Sequence, residues 1–370
     1  MKKKLLALLL SSAMVLSLVA CGGTEEAPAT DAPAATEDAA TEDLHFEVIV
    51  KSFQSTYWQA AVTGINQACE ELGVTANSNG PATESDIADQ VNMLDAAIEA
   101  NPAGIGLAAC DTTSVLASLQ TALDKGIPVV CFDTGVPEAP EGSVYATVAT
   151  DNLAAGACAA ENMYPIIKDK VAAATADAKV RIGEVNQDAT AQNIQDRGLG
   201  FINKMIELIT ADGKSVAVVG NEFYVNACTA AGDEATAEVI IEVGVPSQTT
   251  VAESTIIASG IMAKEDTIAI FGSNQVTAEG VIGANETLNV LGAEGIVAAG
   301  FDAGTPQKEA INAGLFVGSV TQSPLMQGYE CIKTLYAICQ GETVADYPMN
   351  GYWYDTTNMT DANIAPNLYD

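Results

Sequence analysis

The chain has 370 residues, 48% of them hydrophobic, with 48 Asp and Glu against 15 Lys and Arg and a formal net charge of −33. So acidic a field excludes nucleic acid and anionic lipid surfaces as electrostatic partners, and the length suits two domains better than one. A single histidine, His45, and eight cysteines without a CxxC or CxxxC pair leave almost no material for zinc binding or His-dependent catalysis, so neither a metal nor a cofactor is expected.

The chain begins with Lys2, Lys3 and Lys4, followed by an apolar run from Leu5 to Val19. A basic start and a short apolar middle make an export signal, too short to cross about 30 Å of hydrocarbon. Cys21 follows Leu18, Val19 and Ala20, which resembles the lipobox of bacterial lipoproteins. That resemblance implies a signal peptide over residues 1–20 and lipidation of Cys21, the alternative being an ordinary secretory signal with an incidental cysteine. Two or more acyl chains on Cys21 hold a protein stably on a membrane. Residues 22–43 contain only Gly, Thr, Glu, Ala, Pro and Asp. Such a segment buries too little surface to offset its ordering entropy, so residues 21–44 are expected to be a tether.

From about Leu44 onward, short apolar runs alternate with longer amphipathic segments. Phe46 to Val50 reads as a strand, after which Trp58, Val62, Ile65, Cys69 and Leu72 recur at helical spacing. The alternation continues with a strand at Gly104–Ala108, a helix at Ser114–Leu123, and strands at Val129–Phe132 and Arg181–Val185. A helix over Phe201–Ile209 and strands at Val239–Val243, Thr267–Phe271 and Ile296–Phe301 complete it. This order implies an α/β fold with parallel sheets covered on both faces. Cys110 and Cys131 end apolar runs and read as core residues, so no disulfide framework is expected.

Ligands of open parallel sheets bind outside the carboxyl ends of the strands. Lys51, Ser55, Tyr57 and Trp58 follow the first strand; Asp133 and Thr134 follow VVCF; Asn274 follows IAIFGS; Asp302 follows VAAGF; Gln322 follows FVGSVT. Taken singly, Asp133 or Asp302 is as well explained as a turn residue, Asn274 as a helix cap, and Tyr57 or Trp58 as core. Recurrence of hydrogen-bonding groups at successive strand ends in both halves favours a site.

In order along residues 46–340, FQSTYWQAAVTGINQACEELG, VVCFDT, VATDN, QDRGLGF, IFGSNQ, AGFDAGTP and SVTQSP resemble segments of periplasmic sugar-binding proteins of the ribose- and galactose-binding type. The resemblance implies two Rossmann-like lobes joined by a three-strand hinge, the periplasmic-binding-protein type I fold. One lobe would hold residues 45–154 plus 323–350, the other 155–322 plus 351–370. It also implies roles: Tyr57 and Trp58 sandwich one face of a sugar, Asp133 accepts from two hydroxyls, and Arg197 donates to the ring oxygen or a hydroxyl. Asn274, Asp302 and Gln322 complete the ring, with Lys51 and Asn193 as further candidates. Thr134 stands where ribose binders place an arginine. Residues 214–236 read as an insertion, blurring the place of another stacking aromatic, to which Thr249 aligns and which Phe223 or Tyr224 would fill instead.

The function these residues imply is a membrane-anchored extracytoplasmic receptor that captures a monosaccharide between two lobes and delivers it to an ABC transporter permease, acting as a monomer. The alternatives are a nucleoside or other non-sugar ligand, and a sensory subunit that presents its ligand to a receptor. No nucleophile–base pair is visible, so an enzyme is not expected.

Overall fold

In the computed structural model, residues 44–229 and 232–369 are described; the expected signal peptide, Cys21 and the expected tether up to residue 43 lie outside them. The first half runs β1 (His45–Ile49), α1 (Thr56–Leu72), β2 (Thr75–Asn79), α2 (Ile87–Glu99), β3 (Gly104–Leu107), α3 (Leu116–Lys125), β4 (Val129–Phe132) and β5 (Val144–Thr150). Every residue of β3 and β4 is buried, as befits parallel strands with helices on both faces. Helices α1 and α3 end at Gly73 and Gly126, both in the left-handed conformation that glycine adopts at little cost.

The chain then enters a second sheet through α4 (Asn152–Ala173), β6 (Val180–Val185), α5 (Gln192–Ala211), β7 (Val216–Gly220), α6 (Glu222–Ala227) and β8 (Val239–Gly244). It continues through α7 (Val251–Met262), β9 (Thr267–Gly272), α8 (Gln275–Leu288), β10 (Val297–Phe301), α9 (Thr305–Asn312) and β11 (Phe316–Thr321). Helix α10 (Pro324–Cys339) returns to the first lobe and packs beside α1, before β12 (Tyr347–Met349) and β13 (Tyr352–Tyr354).

The first sheet has the order β12-β5-β4-β3-β1-β2 and the second β13-β11-β10-β9-β6-β8-β7. All pairings are parallel except β13 against β11. The architecture is α/β with two lobes, and the chain passes between the sheets three times, after β5, after β11 and between β12 and β13. The segment read as an insertion supplies β7 and α6, and β7 is an edge strand without a counterpart in the first sheet.

Each lobe has a core on both faces of its sheet. In the first lobe, Trp58, Ile65, Cys331 and Leu335 cover one face and Leu94, Ile98, Leu119 and Ala122 the other. In the second, α4 and α5 pack on one face and α7 and α8 on the other. Cys69, Cys110, Cys131, Cys158, Cys331 and Cys339 are free thiols, and Cys131 and Cys331 are fully buried. Glu184 on β6 is fully buried too, and neither carboxylate oxygen has a hydrogen-bond partner among the described residues.

Candidate ligand-binding site

The carboxyl ends of the two sheets face each other across a cleft. Lys51, Tyr57, Trp58 and Asp133 from the first lobe, Asn193, Arg197, Asn274 and Asp302 from the second, and Gln322 at the passage after β11 all line one cavity of about 30 Å³. Most of the space between them is taken up by their own mutual hydrogen bonds. Lys51 Nζ donates to Asn193 Oδ1 at 2.9 Å and lies 3.1 Å from Asp133 Oδ2, while Asn193 Nδ2 donates to the same oxygen at 2.9 Å. Burial alone would lower the Lys51 pKa, but the carboxylates of Asp133, Glu84 and Asp188 outweigh it and leave it above its ordinary value. The Tyr57 hydroxyl donates to Asp133 Oδ1 at 2.6 Å, and burial followed by that carboxylate pushes its pKa well up.

Asp133 and Asp302 adopt φ of 62° and 72°. Asp tolerates this region better than most residues, because its short polar side chain bonds locally. Both backbone N–H groups donate to the next strand, Asp133 to Val148 O at 2.9 Å and Asp302 to Val320 O at 2.7 Å. Each acid therefore leaves its strand at a fixed angle and points into the cleft. Asp302 Oδ1 accepts from Gln322 Nε2 at 2.7 Å, and its Oδ2 from the Gln275 backbone N–H at 2.9 Å. Burial raises the Asp302 pKa, against the opposing pull of Arg197 and these two donors.

Arg197 is 1% exposed and held on three sides. Its Nε and Nη2 donate to Asn152 Oδ1 at 3.1 and 2.7 Å, its Nη1 donates to Ser273 O at 2.9 Å, and its guanidinium lies 3.7 Å over the Phe301 ring. Such a fork is rigid and presents its remaining N–H groups in set directions. The helix that carries it sits unusually close to α4. A Cβ on Gly156 would lie 2.0 Å from Arg197 O, and one on Gly200 would lie 2.2 Å from Leu153 O, so only glycine permits this approach.

One expected arrangement, a shared aromatic face, is corrected by this geometry, and the surroundings of the other residues can be placed. The rings of Tyr57 and Trp58 stand 81° apart with centroids at 4.9 Å, so the pair cannot lie flat together on one face of a ligand. Trp58 is anchored at its edge by an indole N–H donated to Glu84 Oε1 at 2.8 Å. Neither Phe223 nor Tyr224 lines the cavity: Tyr224 is fully buried, its ring packed against α5 at Gly198 and its hydroxyl donating to Asp188 O at 2.7 Å. Thr249 instead meets Ser85 across the lobes, hydroxyl to hydroxyl at 3.0 Å. Asn274 is both a cap and a lining residue, with a capping box at the start of α8 while its amide donates to Gln187. Thr134 donates its hydroxyl to Asp133 Oδ2 at 2.9 Å.

Glu84, Gln187 and Gln275 also line the cavity and were not among the expected residues. Gln187 Nε2 donates to Glu84 Oε2 at 2.8 Å across the lobes. Burial raises the Glu84 pKa, opposed by Lys51 and by the donors Trp58 and Gln187. A sequence signal did exist for Gln187, which stands two residues after β6 as Lys51 stands two after β1, and for Gln275, which adjoins Asn274. Among the described residues no cluster of three His, Cys, Asp or Glu suits a metal ion, and no helix is long and apolar enough to cross a membrane.

Residues 46–343 match the model of the periplasmic binding protein domain. A curated relative, the D-allose-binding periplasmic protein of Escherichia coli (strain K12), is 27% identical over 116 residues, which is 30% of this chain and only 37% of that protein. A Brachyspira murdochii protein described as an ABC transporter, LacI family transcriptional regulator is 31% identical, with a TM-score of 0.71 over 89% of this chain and 99% of that one. An ABC transporter solute binding protein from Agrobacterium vitis, solved with bound D-fucose, is 26% identical with a TM-score of 0.73 over 88% of this chain and all of that one. Matched over most of its length and carrying its cleft at the facing strand ends, the chain belongs to the periplasmic binding protein family.

Proposed function

We propose that this protein captures a sugar between its lobes and delivers it to an ABC importer, held outside the cytoplasmic membrane by a lipid on Cys21. The observation that carries the reading is the convergence of planar donors and acceptors from both lobes, Asp133, Asn193, Arg197, Asn274, Asp302 and Gln322, on one cavity. Sugar hydroxyls need partners in fixed directions, and charge-assisted bonds to such groups are roughly twice as strong as neutral ones. Glu84, Asp133 and Asp302 against Lys51 and Arg197 leave no positive excess, which disfavours phosphate or carboxylate ligands. A ligand bonded to both lobes stabilises the closed arrangement that a permease would recognise. The sugars named for the relatives, D-allose and D-fucose, set the first candidates.

A thermal-shift panel of pentoses, hexoses, nucleosides and amino acids, followed by titration calorimetry, tests the ligand class. Stabilisation by a nucleoside or amino acid and by no sugar overturns the proposal. For the anchor, Cys21→Ser should move the protein from the membrane fraction to the soluble fraction, and unchanged membrane retention would remove the lipid from the account.

A further inference from the structure

A second cavity of about 320 Å³ adjoins the cleft, and Asp133 and Asn193 belong to the walls of both. Its floor on the first lobe is β5 at Thr147 and Ala149; on the second it is closed by Asn152 and the start of α5 at Gln192. We infer that this compartment is a second subsite, which receives a further sugar ring linked to the sugar in the cleft. The inference rests on the sugar reading above.

Size is the first argument. Ligand pockets run from about 300 to 1,000 Å³, and the side compartment reaches that range. Continuity is the second. Asp133 and Asn193 are a shared partition closed by their own 2.9 Å hydrogen bond, so a sugar that takes over their bonds lies next to the compartment and a substituent on it would enter there. The third is the lining, where amides and hydroxyls alternate with small apolar surfaces at Val136, Pro137 and Ala149. That mixture fits the alternating O–H and C–H surfaces of a sugar ring, which asks for directional bonds and apolar contact at once. Both lobes contribute walls, so a ring held there would bridge them and add to closure instead of merely occupying a surface groove.

The lining also sets a charge limit. Asp133, Asp196 and Asp346 face this compartment and no Lys or Arg does. A neutral second ring is accommodated; a phosphorylated sugar or a uronate meets the like charge of Asp196 and Asp346, since the one cation at this partition, Lys51, is already paired with Asp133.

Titration calorimetry on the mature chain tests the inference with D-galactose, D-glucose, D-allose and D-fucose, the disaccharides lactose, melibiose and maltose, and galactose 6-phosphate. At least one disaccharide should bind about tenfold or more tightly than its component sugars, with no measurable binding of the phosphate. Ala149→Phe adds bulk inside the compartment from a position that does not itself line the cleft. It should abolish that gain while monosaccharide affinity stays within about threefold. Gln192→Ala, which removes a wall group instead of filling space, gives a second comparison should the larger side chain prevent folding. Monosaccharide binding with no disaccharide preferred, or a disaccharide gain that survives both substitutions, overturns the second subsite alone. Failure of every sugar to bind overturns the sugar reading with it.

Discussion

Asp302 shows how much one side chain carries in this cleft. Its two oxygens organise Gln322 and the start of α8, and its backbone carbonyl accepts from Ser319 and Tyr354 at 3.0 and 2.9 Å. Asp302→Asn keeps the volume and the tolerance of positive φ but turns one acceptor into a donor. Sugar affinity should fall by about 1 to 3 kcal/mol, roughly 5- to 150-fold, with the circular dichroism spectrum unchanged; unaltered affinity in calorimetry would remove Asp302 from the site. Glu184 makes a different demand, because burial alone drives its pKa well above the ordinary 4.5. The folded protein then keeps a proton that the unfolded chain releases above about pH 4.5. Stability falls as pH rises from there toward the folded pKa, by about 1.4 kcal/mol per pH unit from this group. Glu184→Gln cannot ionise and should raise the melting temperature more at pH 8 than at pH 5, whereas equal shifts would mean that the native carboxyl is already charged.

Among the elements, the α4–α5 pair decides where Asn193 and Arg197 stand. Gly156→Ala drives a methyl into the Arg197 carbonyl, and the helices must part to admit it. Overpacking of this kind costs about 1 to 3 kcal/mol, and sugar affinity should fall further than stability because Arg197 moves with its helix. Gly260→Ala on α7 is the control: its added methyl meets nothing within 4 Å, so it should be neutral or stabilising by up to about 1 kcal/mol. If both alanines behave alike in thermal melts, close packing is not what those glycines provide. The same elements show what was legible in the sequence. Strands β3 and β4 were readable because runs such as GIGL and VVCF are apolar throughout, and the polar residues just past strand ends followed from where parallel sheets bind. Glu84 was not, since it sits in the loop after β2 with no periodicity to mark it. Nor was the perpendicular setting of Tyr57 and Trp58, which depends on where the indole N–H finds Glu84 and not on their spacing along α1.

At the scale of the molecule, three chain passages join the lobes on one side while polar pairs meet across the cleft: Lys51 with Asn193, Glu84 with Gln187, and Ser85 with Thr249. The last pair is a natural place for a lock. With hydroxyls 3.0 Å apart, Ser85→Cys with Thr249→Cys should form a disulfide that traps bound sugar, slowing its release by orders of magnitude until a reductant is added. Release at the wild-type rate from the oxidised double variant would show that the lobes need not separate there. One further consequence lies in the matched setting of the two acids. In their sheets β4 and β10 hold equivalent places, and each ends in an aspartate with a left-handed backbone tied to the neighbouring strand. The cleft is therefore a pincer whose jaws are copies of one design, turned to face each other. Either jaw can drift alone, but at these two tips only asparagine or glycine can replace the aspartate without backbone strain of about 1 kcal/mol or more, so changes of specificity are channelled to the residues around them.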